Sequence, residues 1–112
     1  MKKVEAVIRP FKLAEVKNNL SQIGVQVMTV SEVRDYGWQK GLTEIRSGNG
    51  FQANFLPRLK IEIVVCDGQV ESALRTIIES AHTSKVADGR IAVVPVLEAV
   101  RIRTAERGDQ AV

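Results

Sequence analysis

An α+β sandwich, with two helices laid on one face of a four-stranded sheet, is the fold this sequence predicts, and three observations lead there. The chain runs through the same order of patterns twice: an alternating apolar stretch, a stretch with apolar residues at three- and four-residue spacing, and a second extended stretch. Both helical stretches are short, about three turns each, as a helix crossing one sheet must be. With 112 residues, 45% of them hydrophobic and 26% charged, the chain suits one domain spanning 1–112 around one core. Two strand-helix-strand units in series give the ferredoxin-like βαββαβ arrangement.

In residues 3–9, Val4, Ala6 and Ile8 fall on one face and Glu5, Val7 and Arg9 on the other, and Pro10 ends the strand. Residues 12–23 place Leu13, Val16, Leu20 and Ile23 on one helical stripe, stopped by Gly24. Residues 25–33 read as the second strand. In residues 59–65, Leu59, Ile61, Ile63 and Val65 alternate with Lys60, Glu62 and Val64, and Asp67-Gly68 turns the chain into a helix over 70–81. Its predicted stripe is Val70, Leu74, Ile77, Ile78 and Ala81. A polar connection over 82–90 leads to an extended run from Ile91 to Val100. Helices on one side leave Val7, Val64 and later valines on the other, and closed self-assembly is the economical way to cover them.

The net charge of +3 comes without a basic run, aromatic RNA-binding motif or helix-turn-helix punctuation, so nucleic acid is not an expected partner. No apolar run reaches the roughly 18 residues of a membrane span, and the start of the chain turns charged at Arg9 before a signal-peptide core could form. A cytoplasmic protein is expected. The single Cys66 forbids an internal disulfide and reads as a buried small hydrophobe at a strand end.

Residues 37–58 form a connection longer than compact domains ordinarily carry, rich in glycine and set with Trp38, Ile45, Phe51 and Phe55. That makes it a candidate effector loop. Arg101 and Arg103, two apart on what reads as a strand, would share one face as an anion fork. Residues 82–90 supply Gly89 and Arg90, with backbone N-H groups open to phosphate oxygens. His82, near a helix end, reads as a cap. No paired carboxylates, Ser/His/Asp set or Walker motif marks an enzyme.

The start of the chain, the segment TVSEVRDYGWQKGLTE, the strand LKIEIVV and the stretch DGRIAVVPVLEAVRIRT together resemble the P-II nitrogen-regulatory signal proteins over nearly the whole chain. The resemblance implies a homotrimer whose intersubunit clefts bind ATP or ADP, and a long loop that docks on a membrane transporter or metabolic enzyme. It assigns Val7, Ile8, Thr29, Glu62 and Val64 to the base and ribose end of the nucleotide. Gly37, Trp38, Gln39, Asp88, Gly89, Arg90, Arg101 and Arg103 fall to the phosphate end. For 2-oxoglutarate it implies Gln39, Lys40 and Arg58, with Mg2+ held through Gln39 and the nucleotide phosphates.

Departures from the family pattern mark the chain as an expected divergent member with an altered T-loop. Trp38 stands where the pattern has arginine and Ala87 where it has glycine, which opens ADP or AMP as alternatives to ATP. Arg58 replaces a lysine. Phe51 has no hydroxyl to take a nucleotidyl group, Asn49 replaces a modifiable serine, and Ser47 replaces the arginine often inserted into an ammonium channel. The rival readings are a trimeric adaptor with a vestigial cleft and a slow ATP-hydrolysing enzyme.

Overall fold

The computed structural model describes residues 1–37, 54–85 and 88–112. Four strands, β1 (Lys2–Ile8), β2 (Thr29–Gly37), β3 (Asn54–Val65) and β4 (Gly89–Pro95), form one sheet in the order β2-β3-β1-β4. Every neighbouring pair is antiparallel. The helices α1 (Leu13–Gln22) and α2 (Val70–Ala81) pack on each other and on one sheet face, completing the β-α-β-β-α-β ferredoxin-like topology.

The core follows the strand alternation. Val4, Ala6 and Ile8 from β1 meet Ile61, Ile63 and Val65 from β3, with Val16 and Leu20 from α1 and Ala73 and Ile77 from α2 above them. Removing these side chains from water is the main force that holds the two layers together. Short 3-10 turns, Pro10–Lys12 and Asp67–Gln69, lead into both helices. Proline suits the first, because its missing N-H would be unpaired at a helix start anyway.

Several boundaries differ from the sequence reading. The second strand begins at Thr29 and not Val25, because α1 ends in a tight turn in which Gly24 takes φ +97 and the Val25 N-H returns to the Leu20 carbonyl. Strands β2 and β3 run on past β1 to the pair Gly37 and Asn54, so the flanks of the 37–58 connection are ladder. Strand β4 stops at Pro95, and Arg101 and Arg103 sit in a turn closed by the Val100 to Arg107 bridge, not on an extended strand. There the Ala105 N-H donates to the Arg101 carbonyl at 2.7 Å. Ala105 adopts φ +62 in this turn.

Side-chain burial also corrects three readings. On α2 the buried positions are Ala73, Ile77, Ser80 and Ala81, while Ile78 is exposed. Cys66 is only partly buried, and its sulfur accepts a hydrogen bond from the Gln69 N-H at the head of the second 3-10 turn. The open sheet face is more polar than expected. It carries the ion pairs Lys3 to Glu5 at 2.8 Å and Lys60 to Glu62 at 3.3 Å, and Val7 on that face is buried.

Candidate functional site

Three segments meet at the Ile8 end of β1: the strand end itself, the connection that leads into β4, and the stem of the β2–β3 hairpin. Between the end of β1, the start of β4 and the last turns of α2 lies a cavity of about 320 Å³. Val7, Ile8, Ile77 and Ile91 give it apolar walls, and His82, Asp88, Gly89 and Arg90 stand among its polar lining.

Asp88 ties its end of the connection back to the start and to the end of β1. The Asp88 carboxylate accepts the Thr83 N-H at 2.8 Å, the Thr83 hydroxyl, and Arg9 Nε at 3.2 Å. The Thr83 bonds, followed by Arg9, hold its pKa at about 2, well below the usual 3.8. A carboxylate so committed does not accept protons near neutral pH. Gly89 follows at φ +127, and a Cβ there would stand 1.9 Å from the Val7 carbonyl oxygen. Only glycine lets β4 enter beside β1 at this point.

Arg90 and Arg58 bring cations to the same end. Arg90 Nη1 lies 3.1 Å from Asp35 Oδ2. Arg58 is only 7% exposed and donates to the Pro57 carbonyl at 3.1 Å. Burial, with the charge of Arg9 nearby, lowers its pKa, while Asp35 and Asp88 act in the other direction.

The remaining described candidates lie elsewhere in the chain. Thr29 stands opposite Glu62 in the β2–β3 ladder, and Val64 lies two residues further along the same face of β3. Arg101 and Arg103 lie past the other end of β1, where the Val96 N-H donates to the Met1 carbonyl. Strand β1, about 20 Å long at the rise of a strand, runs between that Met1 contact and the end at which Gly89 and Arg90 lie. Gly37 ends β2 opposite Asn54. Trp38, Gln39, Lys40, Ser47, Asn49, Phe51 and Ala87 lie outside the described residues.

His82 occupies the C-cap of α2, its N-H on the Ile78 carbonyl, as its place in the sequence predicts. Arg9, Thr83 and Asp35 escaped the sequence reading. Arg9 and Asp35 find their partners 79 and 55 residues away, so no local spacing could announce them. Among the described residues no group of three or more His, Cys, Asp or Glu could hold a metal ion.

Comparison with known proteins places this geometry. The profile of the family described as "Nitrogen regulatory protein P-II" matches residues 1–106. The "Nitrogen regulatory protein P-II" of Cereibacter sphaeroides and that of Azospirillum brasilense are each 49% identical over 112 residues, covering all of both chains. The "Nitrogen regulatory protein P-II 1" of Escherichia coli K12 is 47% identical over the same span. Among solved structures, that of Arabidopsis thaliana PII bound to citrate superposes with a TM-score of 0.81 at 41% identity, covering 99% of this chain and 91% of that one. These alignments pass through residues 37–58 with everything else, and give no support to the expectation that the loop makes this chain divergent. On the extent of these matches, the chain belongs to the P-II nitrogen regulatory protein family.

Proposed function

We propose that this protein is a homotrimeric sensor of adenine nucleotides, with one cleft between each pair of copies. The observation that carries the reading is the separation of the arginines. Arg90 sits at one end of β1, and Arg101 and Arg103 sit past the other. A neighbouring copy can bring the second pair to the first. The end of the 82–90 connection then offers the backbone of Gly89 to phosphate oxygens, and Thr29, Glu62 and Val64 of the open face serve the base and ribose.

ATP and ADP are the proposed ligands, with AMP the alternative that Trp38 and Ala87 suggest. Gln39, Lys40 and Arg58 are proposed for 2-oxoglutarate, for which a buried guanidinium is a strong carboxylate partner. A Mg2+ ion would bridge Gln39 and the nucleotide phosphates. The output is regulation of a membrane transporter or a metabolic enzyme through residues 37–58, by a cytoplasmic protein drawn to its target. Catalysis is not part of the reading, since the carboxylates at the phosphate end are engaged, Asp88 by Thr83 and Arg9 and Asp35 by Arg90.

Calorimetry against AMP, ADP and ATP, with and without Mg2+ and 2-oxoglutarate, tests this. Arg103→Ala should weaken ADP about 10- to 100-fold with the assembly intact, the cost of one charge-assisted phosphate bond. Failure of all three nucleotides to bind would leave the trimeric adaptor as the reading, and turnover would point to the slow hydrolase.

A further inference from the structure

Arg90 is already engaged by an anion of the protein's own. Its Nη1 lies 3.1 Å from Asp35 Oδ2, and the two residues belong to opposite edge strands of the sheet. They meet because the β2–β3 ladder continues beyond the Ile8 to Leu59 pair that ends its contact with β1, carrying Asp35 past that strand. A carboxylate oxygen on a guanidinium takes the place a phosphate oxygen would take.

We propose that Asp35 is a specificity-determining residue of the nucleotide cleft: its carboxylate occupies the anion position on Arg90, and a phosphate must displace it to bind there. The inference rests on the reading that Arg90 meets nucleotide phosphates. The arrangement suits exchange. The Arg90 side chain is 67% exposed and the Asp35 side chain 30%, so the arginine is the partner able to turn outward without losing much packing. Asp35 is not stranded when it does, because its charge also acts on Arg58.

The consequence is a threshold. A weakly charged anion competes poorly against a tethered carboxylate, and one carrying more phosphate charge competes better, so Asp35 disfavours AMP relative to ADP and ATP. The effect is modest, because the pair is partly solvated.

The test is a double-mutant cycle with ADP titrated by calorimetry at low salt, each variant's fold checked by thermal unfolding. Asp35→Asn should bind ADP about two- to fivefold more tightly than the unsubstituted protein, the range of a partly exposed ion pair. The gain should shrink as salt is raised and vanish when Arg90→Gln is also present. Should Arg90→Gln unfold, Arg90→Met takes its place in the cycle. Equal or weaker binding by Asp35→Asn, with the unsubstituted protein binding normally, overturns the proposal, and so does a gain that survives the loss of Arg90. If the unsubstituted protein binds no nucleotide, the nucleotide reading itself falls, and this inference with it.

Discussion

Gly89 is the position at which a single atom decides the structure. A methyl group there would meet the Val7 carbonyl oxygen at 1.9 Å, on a backbone at φ +127 that side chains rarely adopt. Gly89→Ala should therefore cost at least about 2 kcal/mol, read as a lower denaturation midpoint in urea. Asp88 makes a prediction in pH. Its pKa is about 2 in the folded protein against an ordinary 3.8, so its stabilisation is complete above that ordinary value and is lost as the pH falls toward 2. Asp67, held at about 2 by Lys2, titrates in the same window. Melting temperature should drop steeply between pH 4 and pH 2, less steeply in Asp88→Asn, and least in the variant with Asp67→Asn as well. At this scale the sequence was partly transparent. Glycine and arginine at 89 and 90 read as an anion loop, whereas the hold of Thr83 and Arg9 on the Asp88 carboxylate was not legible in the sequence. A side chain's partners depend on what the fold brings near it, and Arg9 comes to Asp88 from the other end of the chain.

The helices show how far periodicity carries. Both lie where the apolar spacing puts them, with α2 spanning the predicted residues and α1 shortened by one at each end. What periodicity misassigned was the direction of a stripe: Ser80, 1% exposed, faces inward and Ile78 faces out. Hydropathy could not foresee this, because Ser80 is paired across the helix interface, its oxygen accepting from Asn19 Nδ2 at 2.8 Å. Asn19→Ala should cost about 1–2 kcal/mol by removing that partner from a buried hydroxyl, and adding Ser80→Ala should recover part of the loss. Urea denaturation of the two single variants and the double variant measures it. The strands were legible in alternation but not in length. The flanks of the 37–58 connection carry glycine, proline and charge, which read as loop, and only pairing with one another makes them a ladder.

For the whole molecule the telling residues are Leu97 and Ile102, which are 101% and 100% exposed. Both lie on the segment that carries Arg101 and Arg103, and apolar side chains so placed gain by packing against another copy. Light scattering should return three times the chain mass. Ile102→Asp should reduce that mass while leaving the far-ultraviolet circular dichroism of the fold in place. The sequence reading expects an assembly from the open face of the sheet, where the ion pairs of Lys3 with Glu5 and Lys60 with Glu62 lie. The strand order β2-β3-β1-β4 has a consequence of another kind, in time. Of these four strands the first to leave the ribosome is central to the sheet, and its partners β3 and β4 follow third and fourth, with Lys2 finally opposite Pro95. Until residue 65 has emerged, β1 has two bare hydrogen-bonding edges and an apolar face that α1 alone can shield. Synthesis that stalls before that point leaves a sticky, sheetless fragment, and refolding of the finished chain should be slower than that of a helical bundle of equal length.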